Sequence, residues 1–128
     1  MKANVLIDSH GWIEYFSGGP NASKYAGYIE AANVYRYVTP SIVLYEVYKK
    51  IKSVAGETPA LEAVAHIIEH TSIIPIDKKI SLSAAEISLK NKLAMADAMI
   101  KAVADFLEAK IITGDPHFKG LHDVVFIE

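Results

Sequence analysis

Four carboxylates stand where an α/β chain could gather them into one cluster. Asp8 directly follows the apolar run Val5-Leu6-Ile7, and Asp115 follows Ile111-Ile112-Thr113-Gly114. Glu46 comes in the second turn after Pro40-Ser41, and Asp97 lies in the first turn of Ala94-Met95-Ala96-Asp97-Ala98-Met99-Ile100. Three or four converging carboxylates suit a hard divalent cation such as Mg²⁺, which takes oxygen ligands, keeps several waters and binds through a few carboxylates plus substrate phosphate. Such a cation can generate hydroxide and stabilise charge on phosphorus, chemistry that needs neither cysteine nor a nucleophilic serine. Asp97 is the most telling of the four, because a carboxylate among alanine, methionine and isoleucine risks desolvation that a bound cation would offset. Its plain alternative is a solvated residue paired with Lys101 at i+4 and helped by the helix dipole. Asp77 also follows an apolar segment, at Ile76, so position after a strand does not by itself select the functional carboxylates.

The elements that must position these groups can be read from pattern. Val5 to Ile7 is a short buried strand. Ser9 is a cap for a helix carrying Trp12, Ile13 and Phe16 at helical spacing, and Gly18-Gly19-Pro20-Asn21 is a break. A helix is expected from Ser23 to Ala32, and a strand over Tyr35 to Thr39 stopped by Pro40. Ser41 is read as capping a helix to about Val54 whose inner stripe is Val43, Val47, Ile51 and Val54, ended by Gly56. Thr58-Pro59 signals the next helix, with Leu61, Val64, Ala65 and Ile68 as its apolar face. Further strands are expected at Ser72 to Ile76, Ile111 to Thr113 and Val124 to Ile127, and further helices at Ile80 to Leu89 and Met95 to Ala109. Strands alternating with helices imply a parallel sheet of about five strands with helices on both faces, in one domain over residues 1–128. In such sheets ligands bind beyond the carboxyl ends of the strands, where the strand order reverses.

Composition sets limits. The 128 residues include 13 basic and 15 acidic side chains, for a net charge of −2, which argues against tight non-specific binding to nucleic acid. Lys49, Lys50 and Lys52 nevertheless form a local basic cluster. The chain has no cysteine, which excludes disulfides and thiolate metal sites and fits a cytoplasmic protein. No apolar run reaches the ~20 residues that span a bilayer, and three apolar residues before Asp8 do not make a secretory signal.

Four blocks of the sequence, spread over nearly its whole length, resemble the PIN-domain family, in particular VapC-like toxins. They are Val5-Leu6-Ile7-Asp8-Ser9, Ser41 to Val47 with Glu46, Ala96-Asp97-Ala98-Met99-Ile100-Lys101-Ala102, and Ile111 to Phe118 with Thr113 and Asp115. The resemblance implies a Rossmann-like sheet and cleavage of single-stranded RNA, or of exposed loops in structured RNA. It implies that Asp8, Glu46, Asp97 and Asp115 coordinate Mg²⁺ or Mn²⁺, with Ser9 and Thr113 as supporting hydroxyls. An antitoxin partner and a homodimer are implied with it. His117 departs from the pattern, standing where many relatives carry a further acid, and His10 stands where Asn or Ser is common.

Other groups have plainer accounts. His66 and His70, with Glu62 a turn earlier, have spacing that can bind zinc, but they adjoin the core stripe of an amphipathic helix. His117 and His122 could orient a phosphate or shuttle a proton, and are otherwise loop residues. Tyr25, Tyr28, Tyr35, Tyr37, Tyr45 and Tyr48 suit core and interface packing better than base stacking. Trp12 is read as core. The main competing function is a phosphoacceptor receiver domain using Asp8 and Asp77, but it lacks an acidic pair after the first strand and a lysine after the last. A PIN-like fold serving only as a binding module is a third reading.

Overall fold

A computed structural model describes residues 2–128. The elements follow in the order β1 (Ala3–Ile7), α1 (Ser9–Ser17), α2 (Ala22–Ile29), β2 (Tyr35–Pro40), α3 (Ser41–Ala55), α4 (Glu57–His70), β3 (Ser72–Ile74), α5 (Lys78–Asn91), α6 (Met95–Phe106), β4 (Lys110–Thr113), a 3₁₀ turn (Pro116–Phe118) and β5 (Val124–Phe126). All strand pairings are parallel, and the sheet order is β3-β2-β1-β4-β5. The chain therefore builds outward from β1 through β2 to β3, then returns to lay β4 on the other side of β1. The order reverses between β1 and β4, so the crevice for a ligand lies beyond their carboxyl ends. A receiver domain has the order 2-1-3-4-5, so this topology excludes that reading.

Successive side chains of a strand point to opposite faces. Val5, Leu6 and Ile7 are all buried, as are Ile111 and Ile112, so the centre of the sheet is covered on both sides. Burying each of these side chains contributes about 1.5–3 kcal/mol. Trp12 belongs to this core, stacked on Phe16 and edge-on to His66.

The helix starts differ from the expected caps, and the difference matters for the site. Asp8, not Ser9, caps α1, its side chain accepting from the Gly11 N–H. Pro40 occupies the cap position of α3 and Gly56 that of α4, so Ser41 and Thr58 are inside their helices. Ser41 Oγ instead accepts from the Ile76 N–H at 3.3 Å. Gly56 joins two helices with φ +98, a backbone conformation that side chains other than hydrogen disfavour.

Two apolar faces are corrected. On α4 the buried residues are Ala60, Ala63 and Ile67, whereas Leu61 and Ile68 are about half exposed, at 53% and 51%. The face turned to the core is the one with small residues, which let α4 pack closely on α3. Val54 was expected on the inner stripe of α3 and is exposed. The last turn also stops early: α6 ends at Phe106, because Glu108 takes a left-handed φ of +51 before β4.

Candidate active site

Register brings the first and last acidic blocks together. Ile7 pairs with Ile112, so Asp8 and Thr113 emerge side by side at the carboxyl edge of the sheet. The Asp8 N–H donates to the Ile112 carbonyl at 3.3 Å. Both Asp8 carboxylate oxygens are then engaged. Oδ1 accepts from the Gly11 N–H at 2.7 Å, and Oδ2 accepts a short hydrogen bond from Thr113 Oγ1. Thr113 Oγ1 in turn accepts from the Asp115 N–H at 2.9 Å, so one fully buried hydroxyl ties the Asp8 carboxylate and the backbone of Asp115 to a common point. Asp8 is only 3% exposed. Burial pushes its carboxyl up to about 6, opposed by the bonds from Thr113 and Gly11 and by His10, and aided by the charge of Asp115.

The helices supply the other two. Glu46, half-buried on α3, accepts from Ser9 Oγ at 2.8 Å, which links it to the first residue of α1. Asp97 lies in the first turn of α6, its side chain 21% exposed. Burial is the main reason its carboxyl rises to about 6; the charges of Asp115 and Glu46 add to the rise and His117 opposes it. Those influences place Asp115 and Glu46 within electrostatic reach of Asp97, as Asp115 is of Asp8. The plain pairing of Asp97 with Lys101 does not occur: the buried Lys101 ammonium bonds Asp105 instead.

His117 completes the edge of the crevice. Its Nδ1 lies 2.9 Å from Asp115 Oδ1 and 3.9 Å from Asp97 Oδ2, and one ligand atom from each of Asp97, Asp115 and His117 falls within 4.8 Å of the others. Among the described residues this is the only such group of three or more metal-ligating side chains. Asp8 and Glu46 flank it without joining it. The donor set fits a divalent cation: it is rich in carboxylate oxygen, and the carboxyls of Asp97 within it and of Asp8 beside it are held above their ordinary range in a way that a nearby cation would reverse.

Tyr25 is the residue that sequence reasoning did not connect with the site. It is fully buried, its hydroxyl accepts from the Gly114 N–H at 2.7 Å, and its ring lies where a Cβ on Gly11 would fall, 2.5 Å from Cε1. It thus braces both the Asp8 cap and the loop bearing Asp115. Burial raises its hydroxyl well above the usual tyrosine range, reinforced by the charge of Asp8. The one local signal was Tyr25 and Ile29 at i, i+4, which marks only a core face.

The remaining candidates lie elsewhere. Asp77 caps α5 through the Ile80 N–H at 2.9 Å. His70 Nδ1 is 2.8 Å from the carbonyl oxygen of His66, and the two rings stack with centroids 4.2 Å apart, an arrangement that does not aim their nitrogens at a shared ion. His122 pairs with its neighbour Asp123. Tyr37 is buried, Tyr28 and Tyr35 stack on each other, and Tyr45 and Tyr48 lie under the ammonium groups of Lys49 and Lys52 on α3. No helix among the described residues is long and apolar enough to cross a membrane.

Comparison with known proteins agrees with this architecture. No curated protein matches the sequence. Among solved structures, a toxin–antitoxin complex from Klebsiella pneumoniae is similar at 25% identity and a TM-score of 0.74, over 94% of this chain and 95% of that one. VapBC2 from Rickettsia felis, bound to a DNA fragment from its promoter, is similar in fold at a TM-score of 0.78 and 15% identity, over 97% of both chains. VapC20 from Mycobacterium tuberculosis, described as a Sarcin-Ricin loop cleaving toxin, gives 0.72 and 15% over 83% of this chain and 85% of that one. The sequence model of the PIN domain matches residues 5–123, nearly the full length, and the chain belongs to the PIN domain family.

Proposed function

We propose that this PIN domain is a metal-dependent endoribonuclease and the toxin of a VapBC-type toxin–antitoxin pair. The observation that carries the reading is the crevice at the β1–β4 switch point, where Asp8 and Asp97 are both pushed up to about 6 in the company of Asp115 and Glu46. Carboxyls raised by burial and mutual repulsion mark a site built for a compensating cation. The similarity to a toxin–antitoxin complex supports the toxin assignment, and the VapC20 comparison supports RNA as the substrate class.

Asp8, Glu46, Asp97 and Asp115 are the residues assigned to hold Mg²⁺ or Mn²⁺. The bound cation would supply Lewis acidity toward phosphate oxygen and a water of lowered pKa. The chain's own groups do the positioning. Thr113 and Gly11 fix the plane of the Asp8 carboxylate, Ser9 fixes Glu46, and the Asp115 N–H bond to Thr113 fixes the loop that follows β4. Hydrolysis adds water across one phosphodiester: a new P–O bond forms, the bond to the leaving sugar oxygen breaks, and that oxygen takes up a proton.

Two further assignments go with this reading. The apolar groove of about 700 Å³ between α1, α3 and α4, bordered by Ile13, Phe16, Ile51, Val54, Pro59 and His66, is the surface we assign to the antitoxin. Homodimerisation and a cytoplasmic location follow from the same toxin assignment.

The test is cleavage of single-stranded RNA by the purified protein with Mg²⁺ or Mn²⁺. Cleavage should disappear in EDTA and fall by about 100-fold or more in Asp8→Asn and in Asp97→Asn, the scale expected when a group that stabilises developing charge is removed. Undiminished cleavage in EDTA, or by either variant, would refute the mechanism.

A further inference from the structure

His117 gives this crevice a nitrogen where its other candidate ligands offer oxygen. The side chain is 74% exposed, so packing does not fix the ring; the carboxylates do. The His117 N–H donates to Asp115 Oδ1 at 2.9 Å, closing the 3₁₀ turn, and the ring returns to place Nδ1 at 2.9 Å from the same oxygen. Nδ1 is also 3.9 Å from Asp97 Oδ2, on the other element that borders the cluster.

We infer that His117 Nδ1 is itself a ligand of the divalent cation, and that it biases the site toward first-row transition ions over Mg²⁺. The inference rests on the reading that this crevice binds a divalent cation. Its geometry is that of ligands around one ion. With bonds of about 2.1 Å, octahedral neighbours lie about 3.0 Å apart and opposite ligands about 4.2 Å apart. The observed separations of 2.9 and 3.9 Å lie close to those two values. Its chemistry follows from the donor. Imidazole nitrogen binds first-row transition ions well, whereas Mg²⁺ favours carboxylate, carbonyl and water oxygen. Exchanging a carboxylate for an imidazole at this position therefore costs Mg²⁺ a preferred ligand and offers a transition ion a better one. The competing account is an imidazolium paired with Asp97 and Asp115, in which the ring leaves the ion no nitrogen.

Pulsed electron paramagnetic resonance of the Mn²⁺-loaded full chain, without RNA, separates these accounts. The expected result is ¹⁴N modulation of the Mn²⁺ signal in the unaltered protein and its loss in His117→Asn, a change at an exposed position that leaves the core untouched. Calorimetric titration with Mn²⁺ and with Mg²⁺ should show the ratio of their affinities shrinking by roughly tenfold or more in His117→Asp, the scale on which groups around a bound metal alter its affinity. Mn²⁺ bound with no nitrogen signal, or an unchanged affinity ratio in His117→Asp, overturns the inference and leaves the metal-centre reading intact. Failure of the unaltered protein to bind Mn²⁺ at all overturns both.

Discussion

Replacing Asp97 by asparagine should stabilise the metal-free protein at neutral pH while removing its response to divalent cations. Among the described residues Asp97 accepts no hydrogen bond; its nearest defined partner atom is His117 Nδ1 at 3.9 Å. Its carboxyl rises from 3.8 to about 6 on folding, so the folded state holds a proton that the unfolded chain has already released across that interval. Stability therefore falls as pH rises from about 4 to about 6, and the loss is complete above that window. A shift of about two units corresponds to about 3 kcal/mol. The side chain retains 21% exposure, and solvent screening reduces the figure to about 2 kcal/mol. The α6 N-terminus favours the charged form by about 0.3–1 kcal/mol, which the amide forgoes. The net gain for Asp97→Asn is thus about 1–2 kcal/mol above pH 7, or roughly 3–8 °C in Tm for a domain of this size, shrinking to nothing below pH 4. Urea and thermal unfolding in EDTA across pH 4 to 8 measure it. Added Mn²⁺ should then raise the Tm of the unaltered protein and leave the variant's nearly unmoved. A variant equally or less stable at pH 7.5, or a gain that persists unchanged at pH 4, would refute the argument that Asp97 is a strained ligand awaiting a cation.

Thr113→Val removes the donor to Asp8 Oδ2 and the acceptor for the Asp115 N–H in a fully buried position. It should cost about 2–3 kcal/mol in urea unfolding, and the rise of activity with pH should move to higher pH, because the Thr113 bond is one of the influences holding Asp8 down. A profile that keeps its position would show that Asp8 ionisation does not limit the reaction. Gly11→Ala places a Cβ 2.5 Å from Tyr25 Cε1 and 2.8 Å from Ile7 Cγ2. Because both neighbours are buried, the expected loss is about 1–3 kcal/mol, measured the same way; a neutral result would mean that the α1–α2 contact is looser than the distances imply.

The central strands and their carboxylates were legible because the signal there is local. A run such as Val5-Leu6-Ile7 ending in Asp8 reads as a buried strand meeting a polar edge, and the helix break at Gly18 and the helix junction at Gly56 are marked by their own residues. Asp97 was legible for the opposite reason: a charge in an apolar helix start has few structural explanations, and the one offered, Lys101, turned out to belong to Asp105. Strand order was not legible, since nothing in β4 states that it will pair with β1 rather than with β3. The face of α4 was misread because large side chains dominate a hydrophobic pattern. Ala60 and Ala63 are buried because they are small enough for close helix contact, and that depends on α3. The caps failed for a related reason. Ser9, Ser41 and Thr58 are good cap residues by type, but Asp8 was one position earlier, and the serines serve partners remote in sequence, Ser9 donating to Glu46 and Ser41 accepting from Ile76. Tyr25 was missed because its bond to Gly114 spans 89 positions and leaves no trace in either segment.

The four carboxylates are not equally fixed, and the difference bears on how such a site can change. Asp8 and the backbone of Asp115 hang from one buried hydroxyl between adjacent strands, so altering the Asp8 side chain disturbs both Thr113 and the Gly11 cap, next to the Tyr25 brace. Glu46 and Asp97 arrive on separate helices, each with one polar partner or none, and can adjust without strain in the sheet. His117 is freer still, an exposed side chain held only by the groups it would share an ion with. Ligand chemistry at position 117 can therefore vary at little cost to folding, whereas position 113 cannot change without cost to both folding and Asp8. On the proposed reading, a site arranged in this way would keep its hydrolytic geometry constant in the interior and leave the choice of cation to its rim.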